Sequence, residues 1–287
     1  MLRLRRTASV LWTTALLSLS LAPLGCEGLE PKTALGYTAD AKRAYEAAME
    51  EFTAHNWLEA TAKMREVKRK YSYSKYARLA ELRIADADFL QEKFADAIRE
   101  YRQFVHDHRS DPEEVSYARS KIAEAEYSQI SESLILAAGE ERDQAVVYDA
   151  YKELRGYLHD YPEAKESKRM RELLADVTAR LVRHELYVAR FYLQRENYQA
   201  AVLRVQYALQ HYALGLETSK SGSQADQAEH VSGLEPEALL LLGETYLKMH
   251  KWTDARVQFE LIVNRFQDSG LILAARNFLG WMKERGV

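Results

Sequence analysis

Residues 183–212 read RHELYVARFYLQRENYQAAVLRVQYALQHY, and this stretch decides the fold of the 287-residue chain. Apolar residues recur at helical spacing in its first half, and again in its second half after the polar break at residues 195–197. Two amphipathic helices joined by so short a turn must fold back on each other as an antiparallel hairpin. A single hairpin leaves its apolar faces uncovered, so the stretch predicts neighbouring hairpins of the same kind.

The second helix of that hairpin carries a spacing pattern that recurs along the chain. A bulky apolar residue is followed three positions later by alanine, and apolar residues follow the alanine after four and seven positions. The alanine lets a neighbouring helix approach closely, while the larger side chains fill the space between the helices. Successive alanines are 37, 53, 51 and 54 residues apart, against about 34 in a strict tetratricopeptide (TPR) array. The pattern occupies residues 57–67, 94–104, 147–157, 198–208 and 252–262, with the alanines Ala60, Ala97, Ala150, Ala201 and Ala255.

These occurrences predict an all-α protein, a right-handed α-solenoid of about five TPR-like helix-turn-helix repeats with a further C-terminal helix. Leu242, Gly243 and Tyr246 add the Leu-Gly-x-x-Tyr signature of a TPR first helix. Proline and glycine interrupt helices, and the chain has only 5 prolines and 12 glycines, which also favours long helices over sheets. The alternative is an irregular helical bundle in which the same periodicity recurs by coincidence.

The boundaries of the segments follow from the same patterns. The first three repeats are expected over residues 39–162 and the last two over residues 163–287. One long helix is expected over residues 163–195, which contain no proline or glycine. Residues 215–236 are rich in serine, glycine, glutamine and aspartate and predict a flexible loop before the last repeat. The final helix is expected near residues 271–283.

Residues 1–25 predict a signal peptide of the lipoprotein type. Three arginines lie among the first six residues without any acid, and an apolar stretch over residues 10–24 follows. Cys26, the only cysteine of the chain, comes directly after that stretch. A cysteine in this place is typical of bacterial lipoproteins, in which it is acylated. Residues 26–38 lack periodicity and predict a tether to the first helix.

The residues just before Cys26 depart from the usual lipoprotein pattern. Pro23 and Leu24 stand where leucine and a small residue are expected. The alternative is ordinary cleavage after a small residue, but Pro23 disfavours a cut both after Ala22 and after Gly25. We therefore expect acylation of Cys26 and anchoring of the chain to a membrane by that lipid.

Charge and motif content exclude several function classes. Without the three arginines of the signal peptide, the chain has 37 basic and 43 acidic residues. The resulting net charge of −6 disfavours nucleic-acid binding. The chain has no His-Glu-x-x-His, phosphate-binding glycine loop or Gly-x-Ser-x-Gly sequence, so we expect no enzyme and no cofactor. His106 and His108 point to different faces of a helix, so no metal site is expected. The basic run of residues 63–70 is interpreted as a solvated helix end.

Stacked TPR hairpins form a concave groove lined by the first helix of each pair. An aromatic groove near the N-terminus would suit an extended peptide with apolar and aromatic side chains. The residues expected to line this N-terminal groove are Tyr45, Met49, Phe52, Leu82 and Phe89. The alternative for each of them is a place in the core between the helices.

The sequence resembles the BamD family, TPR lipoproteins of the bacterial outer-membrane β-barrel assembly machinery. The most specific part is residues 185–195 together with Tyr198, Ala201, Arg204 and Val205. Supporting pieces lie at residues 74–77, 111–117 and 142–162.

The resemblance implies a non-catalytic scaffold on the periplasmic face of the outer membrane. The C-terminal repeats would dock on a POTRA domain of a BamA-like barrel protein, and the N-terminal repeats would bind unfolded outer-membrane proteins. Other lipoproteins of the assembly complex are implied partners. Arg204 matches the family arginine that pairs with an acid on the POTRA domain, and we expect Arg195 and Tyr207 near it on an exposed surface. The alternative is another periplasmic TPR lipoprotein, serving cell-wall synthesis or a motility apparatus.

Overall fold

The computed structural model describes residues 34–130, 139–141, 143–213 and 233–287. These ranges contain helices and connections but no strand. A short 3-10 helix spans Gly139–Glu141, and a π-helical turn over Leu209–Ala213 extends the eighth α-helix. The α-helices of these ranges are α1 Ala34–Thr53, α2 Trp57–Lys70, α3 Lys75–Leu90, α4 Phe94–Asp107, α5 Pro112–Ser128, α6 Ala145–Asp160, α7 Ser167–Gln194, α8 Tyr198–Ala208, α9 Glu235–Lys248, α10 Trp252–Arg265 and α11 Ile272–Glu284.

The helices from α1 to α10 form five antiparallel pairs, and α11 closes the C-terminal end. Each helix packs against the next one in the chain. The first helices of successive pairs also meet, since α1 contacts α3, α5 contacts α7 and α7 contacts α9. This stacking of hairpins confirms the all-α, TPR-like solenoid predicted from the spacing pattern.

The five alanines of the pattern are completely buried, each with 0% exposure. A methyl side chain at these positions permits the close approach of the paired helix. In the fifth pair Gly243 of α9 also permits a close approach, because a Cβ atom there would lie 2.5 Å from Cε1 of the buried Phe259. The pattern therefore marks the contact between the two helices of a pair.

Four of the five pairs share one turn geometry. A non-glycine residue in the left-handed region, with φ between 55° and 61°, ends the first helix of each of these pairs. The next residue then donates its backbone N–H to a carbonyl five residues earlier, as Asn56 does to Glu51 at 2.9 Å. Left-handed backbone costs about 1–2 kcal/mol at such a residue, so its recurrence shows that hairpin closure outweighs this cost. The four residues are His55, Glu92, Glu196 and His250.

Three segment boundaries differ from the prediction. Helix α1 begins at Ala34, inside the tether expected over residues 26–38, because Tyr37 packs edge-on against Tyr71 at a centroid distance of 5.4 Å. Helix α9 begins at Glu235, inside the loop expected over residues 215–236, and Glu235 is buried. Helix α7 begins at Ser167 rather than at residue 163, after a turn in which Ser167 Oγ donates to the carbonyl of Tyr161 at 2.5 Å.

Some predictions fall on residues outside the described ranges. These are the signal peptide at residues 1–25, the acylation of Cys26, the tether up to residue 33 and residues 215–232 of the loop before α9. Within the described ranges, no helix combines the length and the apolar character that crossing a bilayer requires.

Candidate functional site

The first residue of the predicted N-terminal groove is Tyr45 of α1. Its half-buried ring lies against Tyr76 of α3, with centroids 5.7 Å apart, and burial raises the pKa of its hydroxyl. Met49, one turn further along α1, is also half-buried and packs against the core of the first three helices. These two side chains are partly accessible and share one face of α1.

Phe52 and Phe89 lie at equivalent places in the first two pairs. The Phe52 ring stands edge-on to Trp57 at 5.2 Å, and the Phe89 ring edge-on to Phe94 at 5.5 Å. Each contact joins the last turn of a first helix to the start of its partner, so both rings close their hairpin turns. Lys121 lies 5.0 Å from the centroid of the Phe89 ring, which brings a cation from α5 to this end of the groove.

The prediction that Leu82 lines the groove is wrong. Leu82 is only 2% exposed and belongs to the core between α3, α4 and α5. Because α3 is covered on two sides by neighbouring helices, most of its face is interior. Placing α3 residues by the phase of the five pattern alanines leaves out this second layer of contacts.

A buried polar network lies close to Tyr45. Asp86 of α3 accepts hydrogen bonds on Oδ1 from the hydroxyl of Tyr101 and, at 2.9 Å, from the hydroxyl of Tyr117. Its Oδ2 forms an ion pair with Nε of Arg83 at 2.9 Å. Burial is the main cause that raises the pKa of both tyrosines, so both hydroxyls stay protonated and act as donors. The network locks α3, α4 and α5 together beneath Tyr45.

Sequence reasoning missed this network, although a signal was present. Asp86 follows Leu82 by one helical turn and therefore lies on the same buried face. A carboxylate on an apolar face must be paired and hydrogen-bonded when it is buried. What the sequence does not show is which partners supply the bonds, because Tyr101 and Tyr117 belong to the two following helices.

At the C-terminal surface, Arg204 of α8 is paired within the chain. Its Nη1 lies 3.2 Å from Oε2 of Glu185, which belongs to α7. The side chain of Arg204 is 45% exposed, whereas that of Glu185 is only 8% exposed. Arg204 is therefore exposed as expected but not unpaired, since one edge of its guanidinium compensates a buried carboxylate.

Arg195 and Tyr207, the residues expected near Arg204, each lie against aromatic rings. Arg195 lies at the α7–α8 turn, and its guanidinium carbon is 3.6 Å from the centroid of the exposed Phe191 ring. Tyr207 lies one turn beyond Arg204 on α8, with its ring 4.3 Å from that of His211 and 5.7 Å from that of Tyr212. The exposed aromatic and aliphatic side chains of this pair are Tyr187, Phe191, Leu203 and Tyr207.

Side chains that bind metals do not cluster in the described part of the chain. No group of three or more histidine, cysteine, aspartate or glutamate residues there could hold an ion. His106 is exposed and contacts its neighbour Asp107 at 2.9 Å. His108 is half-buried, and its Nε2 lies 2.7 Å from Oε2 of Glu81. The two histidines thus lie in separate contacts at the end of α4.

Comparisons with known proteins agree on one family. The family model described as YfiO, outer membrane lipoprotein, matches residues 38–238. Outer membrane protein assembly factor BamD of Caulobacter vibrioides is 25% identical over 227 residues, which cover 79% of this chain and 72% of that protein.

Two solved structures were also found to be similar. The TPR2AB domain of yeast Sti1, solved in a pHSP90 complex, is 10% identical, covers 77% of this chain and 76% of its own, and has a TM-score of 0.39. A thermophilic TPR protein of Thermus thermophilus is 14% identical, covers 83% of this chain and 98% of its own, and has a TM-score of 0.32.

The family match covers four of the five helix pairs and the start of the fifth. It includes both the groove and the α7–α8 surface described above. The resemblance to the BamD family inferred from residues 185–205 is confirmed, and the chain belongs to the YfiO family of outer membrane lipoproteins.

Proposed function

We propose that the chain is a non-catalytic scaffold of the outer-membrane β-barrel assembly complex. The observation that carries this proposal is the family match over residues 38–238, together with a relative named as an assembly factor that aligns over 79% of the chain. A solenoid of helix pairs offers extended surfaces for several partners at once, which is what a scaffold requires.

The α7–α8 pair is the surface that we assign to a POTRA domain of a BamA-like barrel protein. Arg195 stacked on Phe191 presents a cation already held in place by an aromatic ring, which lowers the entropy lost on binding. Arg204 keeps much of its guanidinium accessible beside Glu185, and arginine has five donors, so a second carboxylate fits at its outer edge. Tyr207 adds an exposed aromatic side chain one turn away.

The N-terminal groove is the surface that we assign to unfolded outer-membrane proteins. Tyr45 and Met49 are partly accessible, and Phe89 lies near Lys121 at the far end. An extended segment with alternating aromatic side chains would place its rings against these residues. The buried Asp86 network behind Tyr45 keeps this wall rigid, so binding would not have to order it.

Acylated Cys26 is the proposed anchor on the periplasmic face of the outer membrane. Attachment of several acyl chains gives stable anchoring, whereas a single chain would not. In a Cys26→Ala variant the protein should move to the soluble periplasmic fraction. Fractionation identical to that of the parent would contradict the anchor.

Purification of the tagged protein from gently solubilised membranes tests the scaffold. We expect a barrel protein with POTRA domains and further lipoproteins to co-purify. A photo-crosslinking residue in place of Tyr207 should capture the barrel protein, while the same residue in place of the exposed Arg99 on α4 serves as the matched control. Recovery of cell-wall enzymes or motility proteins instead would support the alternative scaffold and overturn this proposal.

Client binding is tested with a synthetic peptide copied from the C-terminus of an outer-membrane barrel protein. Tyr45→Ala should weaken its binding, because that ring forms the accessible wall of the groove. The control is Leu58→Ala, a change at a far more exposed apolar side chain on α2. Equal affinity of the parent and of both variants would remove the groove assignment without affecting the POTRA surface.

A further inference from the structure

The connection between α2 and α3 carries an unusual concentration of cations and tyrosines. Residues 68–78 read KRKYSYSKYAR, with five cationic side chains, three tyrosines and no acid. We call residues 68–78 the basic corner. The functions proposed above use none of its residues.

Three cations of the basic corner have no carboxylate partner within the described ranges. Lys68 pairs with Glu81 at 3.2 Å, and Arg78 pairs with acids of the next hairpin. Among the described residues, by contrast, Arg69, Lys70 and Lys75 form no ion pair, and all three are exposed. Two of them lie close to tyrosine rings, with Lys70 Nζ at 5.6 Å and Lys75 Nζ at 5.3 Å from the ring centroids. The corner therefore projects uncompensated positive charge into solvent.

Tyr73 projects from the middle of these cations. It is 97% exposed, yet it lies in a turn that is held on both sides. Ser74 donates from its backbone N–H at 2.9 Å and from its hydroxyl at 2.8 Å to the carbonyl of Tyr71. The Ser74 hydroxyl also accepts from the N–H of Ala77 at 3.2 Å, which caps α3. Tyr73 is thus an exposed aromatic side chain on a fixed turn.

The basic corner lies at the end of the solenoid where the chain comes from its N-terminal segment. Tyr37, in the first turn of α1, packs against Tyr71 of the corner at 5.4 Å. Ala34 lies eight positions after Cys26, so covalent geometry limits the distance between them to about 29 Å. Any membrane that holds Cys26 therefore lies within reach of the corner.

We propose that the basic corner docks on the anionic headgroups of the membrane to which the chain is anchored, with Tyr73 at the interface. Lysine and arginine side chains attract anionic lipid surfaces, and tyrosine favours the headgroup level because its ring is apolar and its hydroxyl polar. The inference rests on the proposed anchoring at Cys26. It adds an orientation to that anchor, since the first helix pair would stand with its α2–α3 end on the bilayer.

A membrane fits these observations better than an acidic protein partner. The tether keeps the corner close to the bilayer, so contact with lipid is an intramolecular event with a high effective concentration. A single exposed ring among flexible cations suits a fluid headgroup layer, which can adapt to it, whereas a protein partner would require a complementary pocket.

Site-specific labelling of the anchored protein tests the proposal. In Tyr73→Cys a fluorophore is attached to the new thiol, and the full-length lipoprotein is reconstituted into vesicles containing headgroup-nitroxide lipid. The matched control is Ala54→Cys, an exposed site at the opposite end of the first hairpin, about 21 Å away along α2. The parent, whose only cysteine is Cys26, should take up no label if that thiol is acylated.

In vesicles of phosphatidylglycerol and phosphatidylethanolamine, the label at position 73 should be quenched and the label at position 54 should not. Replacing Arg69, Lys70 and Lys75 by glutamine should weaken the contact equilibrium by about 100-fold, roughly five-fold for each cation. A triple variant of equal charge change, with Lys168, Arg276 and Lys283 replaced by glutamine, should behave like the parent. Vesicles of phosphatidylcholine alone should reduce the quenching at position 73.

The possible failures are distinguishable. A protein that does not float with vesicles contradicts the anchoring and overturns this inference with it. If the protein floats but positions 73 and 54 are equally quenched, the inference alone is overturned. The inference is also overturned if quenching at position 73 is unchanged both in the triple glutamine variant and in vesicles of phosphatidylcholine alone. Quenching that appears only after a periplasmic protein is added would assign the corner to that protein instead.

Discussion

Nη1 of Arg204 lies 3.2 Å from Oε2 of Glu185 and joins α8 to a buried carboxylate on α7. The arginine therefore has a structural role inside the repeat in addition to any role at an interface. A loss of partner binding after its substitution would not by itself identify a contact, because the α7–α8 pair would be weakened as well.

Arg204→Ala should lower the free energy of unfolding by about 1–3 kcal/mol. The substitution leaves Glu185 buried without its cation, and the cost is smaller than for a fully buried pair because Arg204 is half exposed. Urea denaturation followed by circular dichroism measures the change. Adding Glu185→Gln should recover part of the loss, and Arg183→Ala, on the exposed face of α7, should stay within about 0.5 kcal/mol of the parent. Equal stability of Arg183→Ala and Arg204→Ala would contradict the structural role.

Gly243→Ala should destabilise the last helix pair by about 1–3 kcal/mol. A Cβ atom at Gly243 would lie 2.5 Å from Cε1 of Phe259, whose ring is itself stacked on Phe278 at 4.8 Å and cannot easily move. Gly280→Ala is the matched control, because nothing lies within 4 Å of the position of its Cβ on α11. Alanine is the better helix former, so that control should gain about 0.5–1 kcal/mol. Thermal unfolding of both variants should show shifts of opposite sign.

Asp86→Ala should cost about 3 kcal/mol or more of folding stability. It leaves two tyrosine hydroxyls without their acceptor and removes the carboxylate beside Arg83. Tyr101→Phe removes a single hydrogen bond and should cost about 1–2 kcal/mol. Tyr148→Phe alters an exposed hydroxyl and should change little. Chemical denaturation ranks the three variants, and an Asp86→Ala protein as stable as Tyr148→Phe would refute the importance of the network.

Glu244→Gln should stabilise the protein at neutral pH. Burial is the main cause that raises the pKa of this carboxyl above its ordinary value of 4.5, against the opposing influence of Arg190 and Lys248. The folded state therefore holds a proton more tightly than the unfolded state does, and the free energy of unfolding falls as pH rises from 4.5 through the raised pKa. The glutamine variant cannot ionise at this position, so its free energy of unfolding should not fall for this reason. The difference in stability between the variant and the parent should therefore grow from pH 4 to pH 7. Unfolding curves across that range test it, with Glu260→Gln on the exposed face of α10 as the control for charge alone.

The helix pairs could be predicted from the sequence because their signals are local. Ala60, Ala97, Ala150, Ala201 and Ala255 recur at one phase of a 3.6-residue period, and each lies buried against its partner helix. The lone cysteine after an apolar stretch and the residues at 185–205 likewise point to a lipoprotein family without reference to any contact. Such features depend on neighbours along the chain, which the sequence contains explicitly.

The surfaces could be predicted only in part, because the exposure and the partners of each side chain depend on helices that are distant in sequence. The phase set by the five pattern alanines predicts Leu82 in the groove, yet α4 and α5 cover it. Tyr117 meets Asp86 across 31 residues, and Arg204 meets Glu185 across 19. The sequence alone determined the helical period, the pairing of neighbouring helices and the family. The tertiary structure decided which polar groups are buried and with what they pair, because that depends on how successive hairpins stack.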